Sequence, residues 1–198
     1  MPYRVLIFPG VRAHKKFPMI IAFHGMGMNG ESYMRAWEKE AAQRNFMIVT
    51  PAWTHWDLQG GMKTRGARLE DLDAAIEEIL QHYPVDRKRV YLTGLSAGGI
   101  ASTHLAQRNP SRWKGLVWMA FSTDELVLPR PGVNPKGFPP ILVLHGSKDP
   151  FPTGQVQKDW SLLKGHGFHV TWIEDPTAGH EHKPEWTKQI FDWIKNKK

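Results

Sequence analysis

Short apolar runs alternate along the chain with stretches whose apolar residues recur at helical spacing. Seven runs have the β-branched and aromatic content of strands, and several are apolar without alternation, which is typical of parallel strands covered on both faces. The predicted strands are Tyr3–Phe8, Pro18–Phe23, Phe46–Thr50, Arg89–Thr93, Gly115–Phe121, Pro140–Leu144 and Phe168–Ile173.

Five helical stretches lie between or after these strands. In the clearest one, apolar residues recur every three or four positions and the acidic residues mostly point elsewhere. The residues that mark the helices are Met34, Trp37 and Ala41; Leu69, Leu72, Ile76, Ile79 and Leu80; Ala97 to Gln107; Trp160 and Leu163; and Trp186, Ile190 and Trp193.

This alternation predicts an α/β fold with a doubly wound, mostly parallel sheet, in a single domain over residues 1–198. In such a sheet, ligands bind at the carboxyl ends of the strands. The segment Ser122–Pro139 departs from the alternation, because its four prolines disfavour a full helix and it is too short for a folded lid. We therefore expect an open, shallow site without a substantial lid domain.

The composition is that of an ordinary globular protein, with 41% hydrophobic and 23% charged residues. No membrane span is expected, since the chain lacks a run of about 18 apolar residues. The absence of cysteine excludes disulfides, thiolate catalysis and cysteine metal sites. No signal peptide is visible at the start of the chain, which is compatible with the cytoplasm and also with a secreted protein whose signal peptide has been removed.

The net charge of +7 is spread over Lys15-Lys16, Arg87-Lys88-Arg89 and the tail Lys195–Lys198. No aromatic residues interleave with these clusters, which favours a solvated surface over a nucleic-acid site. We expect no nucleic-acid partner and no membrane partner, and an acidic polymer as substrate stays an alternative. The oligomeric state is not indicated, and a monomer is compatible with the sequence.

The pentapeptide Gly94-Leu95-Ser96-Ala97-Gly98 carries the strongest chemical signal. It matches the pattern G-x-S-x-G at a joint between a predicted strand and a predicted helix. The two glycines remove side chains that would collide in so sharp a bend, so Ser96 projects at the carboxyl edge of the sheet. This arrangement predicts a nucleophilic serine.

A serine hydroxyl becomes a good nucleophile when a histidine takes its proton, and that histidine works best when a carboxylate orients it. The partners of Ser96 should lie at the ends of later strands. Asp149 follows the strand Pro140–Leu144, and His180 follows the strand Phe168–Ile173. Gly179 allows the loop before His180 to bend back over the sheet.

Each of these roles has an alternative in the sequence. Asp124 follows the strand after the elbow and could supply the acid, although Asp149 has the tighter strand-to-turn context. Asp175 is better interpreted as a loop residue that caps its own backbone. His182 could replace His180 as the base, but the preceding glycine favours His180.

Acyl transfer also needs donors aimed at the developing oxyanion. The backbone N–H of Ala97, directly after the nucleophile, is one candidate. The glycine-rich stretch at residues 23–30 supplies the second, which we assign to the N–H of Met26, with Gly25 as the alternative. This stretch lacks the G-x-G-x-x-G spacing and the P-loop lysine of phosphate-binding loops.

Four residues in three loops beside the predicted triad are candidates for substrate binding. Trp53 and Trp56 follow the strand Phe46–Thr50 and could form a wall for an aromatic acyl group or a sugar, or could simply cover the end of the sheet. Phe151, beside the acid, and Gly25, in the glycine-rich loop, are the other candidates.

The chain also carries four motifs that resemble the α/β-hydrolase superfamily, and the resemblance spans nearly the whole chain. The motifs are H-G-M-G at 24–27, V-D-R-K-R-V-Y-L-T-G-L-S-A-G-G at 85–99, H-G-S-K-D-P at 145–150 and A-G-H at 178–180. The second is similar to the branch of polyhydroxybutyrate depolymerases and feruloyl or acetylxylan esterases, and the first to the phospholipase/carboxylesterase group. The resemblance implies esterase activity through Ser96, Asp149 and His180, without metal or cofactor.

The function predicted from the sequence is therefore a serine carboxylesterase that acts on short-chain or polymer-linked esters, such as feruloyl, acetyl or hydroxyalkanoate esters. A serine peptidase or amidase with the same triad is the first alternative, although the chain has no room for a propeller or cap that selects peptides. A non-catalytic binding protein with a hydrolase-like fold is the second, and it commonly loses the serine or the histidine that this sequence keeps.

Overall fold

The computed structural model describes residues 3–6, 15–52, 69–121 and 133–196. Within these ranges, seven strands form one sheet in the order β1-β3-β2-β4-β5-β6-β7. The strands are β1 (Tyr3–Leu6), β2 (Phe17–Phe23), β3 (Met47–Pro51), β4 (Val85–Leu95), β5 (Gly115–Met119), β6 (Ile141–Gly146) and β7 (Val170–Asp175). β1 runs antiparallel to β3 and the other six strands are parallel, which confirms the predicted, mostly parallel sheet.

Helices cover both faces of this sheet, as a doubly wound fold requires. The described helices are α1 (Gly30–Arg44), α2 (Leu69–His82), α3 (Gly98–Arg108), α4 (Thr153–Gly165) and α5 (Pro184–Lys195). Side chains of α2, α3 and α4 form one apolar core with one face of the sheet, and those of α1 and α5 form a second core with the other. In the described part of the chain, no helix is both long and apolar enough to cross a membrane.

Most strand boundaries lie within one or two residues of those predicted, and the largest difference is at the start of β4. β4 begins at Val85 rather than Arg89, because Val85 already pairs with Phe17 before the register shifts. β5 ends at Met119, because Ala120 adopts the left-handed conformation with φ of 46° and the chain leaves the sheet. Residues 7–8, predicted as the end of the first strand, lie outside the described residues.

The parallel arrangement brings the carboxyl ends of β2, β4, β6 and β7 to one edge of the sheet. Ser96 directly follows β4, Asp149 follows β6, and His180 follows β7. The glycine-rich loop at residues 24–28 follows β2, which is the hydrogen-bonded neighbour of β4. The topology therefore gathers the predicted site residues from distant parts of the chain.

Candidate active site

Ser96 occupies a sharp and strained turn between β4 and α3. Its φ of +51° lies in the left-handed region, which costs a non-glycine residue roughly 1–2 kcal/mol. A Cβ atom at Gly94 would lie 2.2 Å from the carbonyl oxygen of Gly98, and one at Gly98 would lie 2.3 Å from that of Phe23. Only glycines fit these close contacts, which is the physical reason for the G-x-S-x-G pattern.

His180 connects Ser96 to Asp149. Its Nε2 lies 2.8 Å from Ser96 Oγ, and its Nδ1 lies 2.9 Å from Asp149 Oδ2. The Asp149 side chain is fully buried, whereas that of His180 is 31% exposed. The second carboxylate oxygen of Asp149 accepts a hydrogen bond from the backbone N–H of Phe151 at 2.8 Å, which fixes its orientation.

Asp175 stabilises the loop that carries His180. One carboxylate oxygen accepts hydrogen bonds from the backbone N–H and the hydroxyl of Thr177, at 2.9 and 2.7 Å. The other accepts from Lys183 Nζ at 2.9 Å and from Trp186 Nε1 at 3.2 Å. These contacts, with Lys183 first, hold the pKa of Asp175 well below its usual range. Asp175 thus joins the end of β7 to the start of α5, as the interpretation of a backbone-capping residue anticipated.

His182, the alternative base, packs away from the serine. Its ring lies 5.5 Å from that of Tyr33 and 5.0 Å from that of Trp37, and its Nε2 is 2.9 Å from Thr187 Oγ1. Burial lowers the pKa of His182 to about 4. Asp124, the alternative acid, lies outside the described residues.

The glycine-rich loop after β2 forms a tight turn beside the nucleophile. Met28 N–H donates to the carbonyl oxygen of Gly25 at 3.3 Å, and Gly27, the third residue of the turn, has a φ of +76° that favours glycine. A Cβ atom at Gly25 would lie 3.5 Å from Ser96 Cβ. The structure therefore places the loop with Met26, the predicted second oxyanion donor, next to Ser96.

Buried His24 supports this loop, a role that the sequence motifs did not indicate. Its Nδ1 lies 2.9 Å from the carbonyl oxygen of Gly25. Burial lowers the pKa of His24, which favours the neutral ring. A histidine directly after a buried strand and before a glycine-rich turn was the available signal.

The mouth of the site is apolar. Among the described residues, four large apolar side chains are exposed, and three of them belong to loops around Ser96 and His180. These are Met26 at 66%, Met28 at 41% and Phe151 at 45% exposure. The Phe151 ring lies 5.3 Å from the His180 ring, so it borders the base directly. Trp53 and Trp56, which were predicted to form a wall of the substrate site, lie outside the described ranges.

His145 lies at the end of β6, below the loop that carries Asp149. It is fully buried, and its ring centroid is 5.7 Å from that of Trp172. Burial lowers the pKa of His145. In the described ranges, no group of three or more His, Asp or Glu side chains is arranged to hold a metal ion.

The model of the alpha/beta hydrolase domain family matches residues 16–190. Since this match covers most of the chain, the protein belongs to the alpha/beta hydrolase family. The prediction of the superfamily from the four sequence motifs is thereby confirmed.

The chain is also similar to individual proteins whose names state an activity. The chain is 31% identical over 183 residues to a bifunctional acetylxylan esterase/xylanase of Neocallimastix patriciarum, a match that covers 89% of this chain and 26% of that protein. It is 22% identical to acyl-protein thioesterase 1 of Gibberella zeae, with 96% and 94% covered. The crystal structure of Zea mays acyl-protein thioesterase 2 superposes with a TM-score of 0.73 at 19% identity, with 99% and 98% covered.

The chain thus spans about a quarter of the Neocallimastix protein and nearly the whole length of the two thioesterases. These relatives are hydrolases, and the solved structures that resemble this fold include several esterases. The family match confirms the predicted α/β-hydrolase class of protein.

Proposed function

We propose that the protein is a serine carboxylesterase, with Ser96 as nucleophile, His180 as general base and Asp149 as the carboxylate that orients the imidazole. The hydrogen-bonded chain from Asp149 Oδ2 through both ring nitrogens of His180 to Ser96 Oγ carries this proposal. A neutral imidazole with its proton on Nδ1 donates to the carboxylate and is left with Nε2 as the acceptor for the serine proton.

The reaction follows from this arrangement in two halves. Ser96 Oγ attacks the ester carbonyl carbon as its proton passes to His180 Nε2, and His180 then protonates the leaving oxygen so that the alcohol departs. Water enters, gives a proton to His180 and attacks the acyl-enzyme, which releases the carboxylic acid and restores the Ser96 hydroxyl. Asp149 stays ionised throughout and stabilises the imidazolium.

The developing oxyanion would be bound by the backbone N–H groups of Met26 and Ala97, with Gly25 as the alternative to Met26. Ala97 directly precedes α3, and the first amides of a helix have no acceptor within the helix. The turn that contains Met26 lies against Ser96. A single donor of this kind contributes about 2.7–4 kcal/mol to transition-state stabilisation.

The substrate class that we propose is an ester of a short acyl group, free or attached to a polymer. The relatives whose names state a substrate include an acetylxylan esterase and a poly(3-hydroxyalkanoate) depolymerase of Paucimonas lemoignei. The apolar mouth formed by Met26, Met28 and Phe151 would contact the apolar parts of such an ester. Because Phe151 packs against His180, which protonates the leaving oxygen, Phe151 belongs on the alcohol side.

The first experiment tests the nucleophile. A fluorophosphonate probe should label Ser96, and Ser96→Ala should abolish both labelling and turnover of p-nitrophenyl acetate. Ser111→Ala, which changes a serine in the turn after α3, serves as the matched control and should keep full activity. Full turnover in Ser96→Ala would remove the proposal.

The second experiment tests the alcohol side. Phenyl acetate and methyl acetate give the same acetyl-enzyme. A variant that lowers kcat/KM for only one of these esters has therefore lost a contact with the alcohol part of that ester. Phe151→Ser should lower kcat/KM for phenyl acetate by roughly three- to tenfold more than for methyl acetate, because apolar contact with the phenyl ring is lost. Leu162→Ser, at an exposed leucine of α4, is the control and should leave the ratio unchanged. An unchanged ratio in Phe151→Ser would place the alcohol elsewhere.

A further inference from the structure

A cleft of about 620 Å³ opens at the edge of the sheet opposite to the catalytic side chains. Its walls come from the last turn of α1, the residues before β3 and β5, residues 86–91 of β4 and the last turns of α5. Ser96 lies five positions after Tyr91, which lines this cleft. At about 3.3 Å per residue of a strand, this corresponds to roughly 16 Å. The cleft is therefore separate from the candidate active site.

Aromatic rings form the floor of this cleft. The ring of Phe46 lies 6.2 Å from that of Tyr91 and 5.0 Å from that of Phe191. Tyr91, Phe191 and the neighbouring Ile194 are buried, whereas Phe46 is partly exposed. Because these rings are held by packing against one another, the apolar floor, whose accessible ring surface comes mainly from Phe46, is already formed without a ligand.

The rim of the cleft is strongly cationic. Among the described residues, the charged ones that line the cleft are Arg44, Lys88, Arg89, Lys114 and Lys195, with Asp86 as the one acid. Arg44 pairs with Glu40 and Asp192, and Arg89 pairs with Asp86. The three lysines are exposed and make no ion pair with an acid of the described residues. A surplus of positive charge thus surrounds an apolar floor.

We propose that this cleft binds a carboxylate with an apolar body, in the class of medium-chain carboxylic acids. The lysines complement the anionic head, and the apolar floor contacts the hydrocarbon body, which water solvates poorly. A small inorganic anion would leave the apolar floor uncovered, and a cation would be repelled by the rim. The volume lies within the range of about 300–1,000 Å³ that is typical of small-molecule sites. The proposal does not depend on a catalytic role for Ser96.

Titration of the ¹⁵N-labelled full chain with octanoate tests the site, with amide shifts recorded by NMR. We expect saturable shifts around Tyr91, Lys114 and Phe191, and binding of octanol and of acetate that is weaker by roughly tenfold or more. Lys114→Glu should weaken octanoate binding roughly three- to tenfold, since it reverses one rim charge. Lys158→Glu, an exposed lysine of α4 outside the cleft, should leave binding unchanged.

Several results would overturn the proposal. Octanoate shifts confined to Ser96 and His180 would assign the binding to the candidate active site. Equal affinities for octanol and octanoate would show that the lysines do not bind the carboxylate. Equal weakening by Lys158→Glu would reveal a general charge effect. Binding to phosphatidylglycerol vesicles that depends on Lys114, without any shift by octanoate, would identify a lipid surface instead.

Discussion

The main chain of Gly146 lies so close to Ala178 that a Cβ atom at position 146 would be 2.3 Å from the Ala178 carbonyl oxygen. Gly146 ends β6 and opens the turn to Asp149, and Ala178 belongs to the loop of His180. The backbone N–H of Lys148 donates to the same carbonyl oxygen at 2.9 Å. The loops of the proposed acid and base are therefore held together by backbone contacts.

Gly146→Ala should separate these two loops, because a backbone oxygen cannot move aside as a flexible side chain can. A displacement of about 1 Å at the triad can lower kcat by roughly 10²-fold, and we expect a loss of that order on p-nitrophenyl acetate. Gly154→Ala is the control, since a Cβ atom there meets nothing within 4 Å. A wild-type kcat in Gly146→Ala would show that the loops do not need this contact.

Asp149→Asn should lower kcat by roughly 10⁴-fold with little change in KM, because an amide neither favours the required imidazole tautomer nor stabilises the imidazolium. Steady-state kinetics with p-nitrophenyl acetate give both values. The control is Asp192→Asn, the same chemical change at a half-exposed residue of α5. Fluorophosphonate labelling of Asp149→Asn at the wild-type rate would contradict the role of Asp149.

Asp175→Asn should lower Tm at neutral pH by roughly 3–8 °C, because the charge-assisted contacts to Lys183 and Thr177 are weakened. The pKa of folded Asp175 lies below its ordinary value, so its stabilisation is complete above about pH 4 and is lost as the pH falls further. The difference in Tm between the variant and the wild type should narrow below that pH. A constant difference down to pH 2 would contradict this account.

His182→Gln should change the acid dependence of stability. Unfolded His182 takes up a proton near pH 6.5, whereas burial lowers the pKa in the folded protein to about 4. Between these values the unfolded chain binds more protons, so stability is complete above pH 6.5 and falls as the pH drops toward 4. The variant lacks this histidine, so its free energy of unfolding should fall less between pH 6.5 and pH 4, by on the order of 2–3 kcal/mol. Urea unfolding at a series of pH values measures this difference. If the free energy of unfolding depended on pH in the same way in the variant and the wild type, burial of His182 would not be a source of the acid dependence.

The alternation of apolar runs and helical stripes along the chain determined the fold class and the chain order of the candidate residues. Periodicity and strand-to-turn joints are local properties, and Gly94 meets a local steric need, since a Cβ atom there would collide with the carbonyl oxygen of Gly98 four residues later. The start of β4 was not predictable in this way, because the extension to Val85 depends on pairing with Phe17 far away in the sequence.

Only the tertiary structure decided which of two neighbouring histidines faces Ser96. Both follow the same strand, but His182 packs against Tyr33 and Trp37 while His180 reaches the hydroxyl. The fold also decided the apolar mouth and the cationic cleft, since each gathers side chains from elements that are distant in the sequence. Local pattern specifies the elements, whereas distances between side chains follow from how those elements pack.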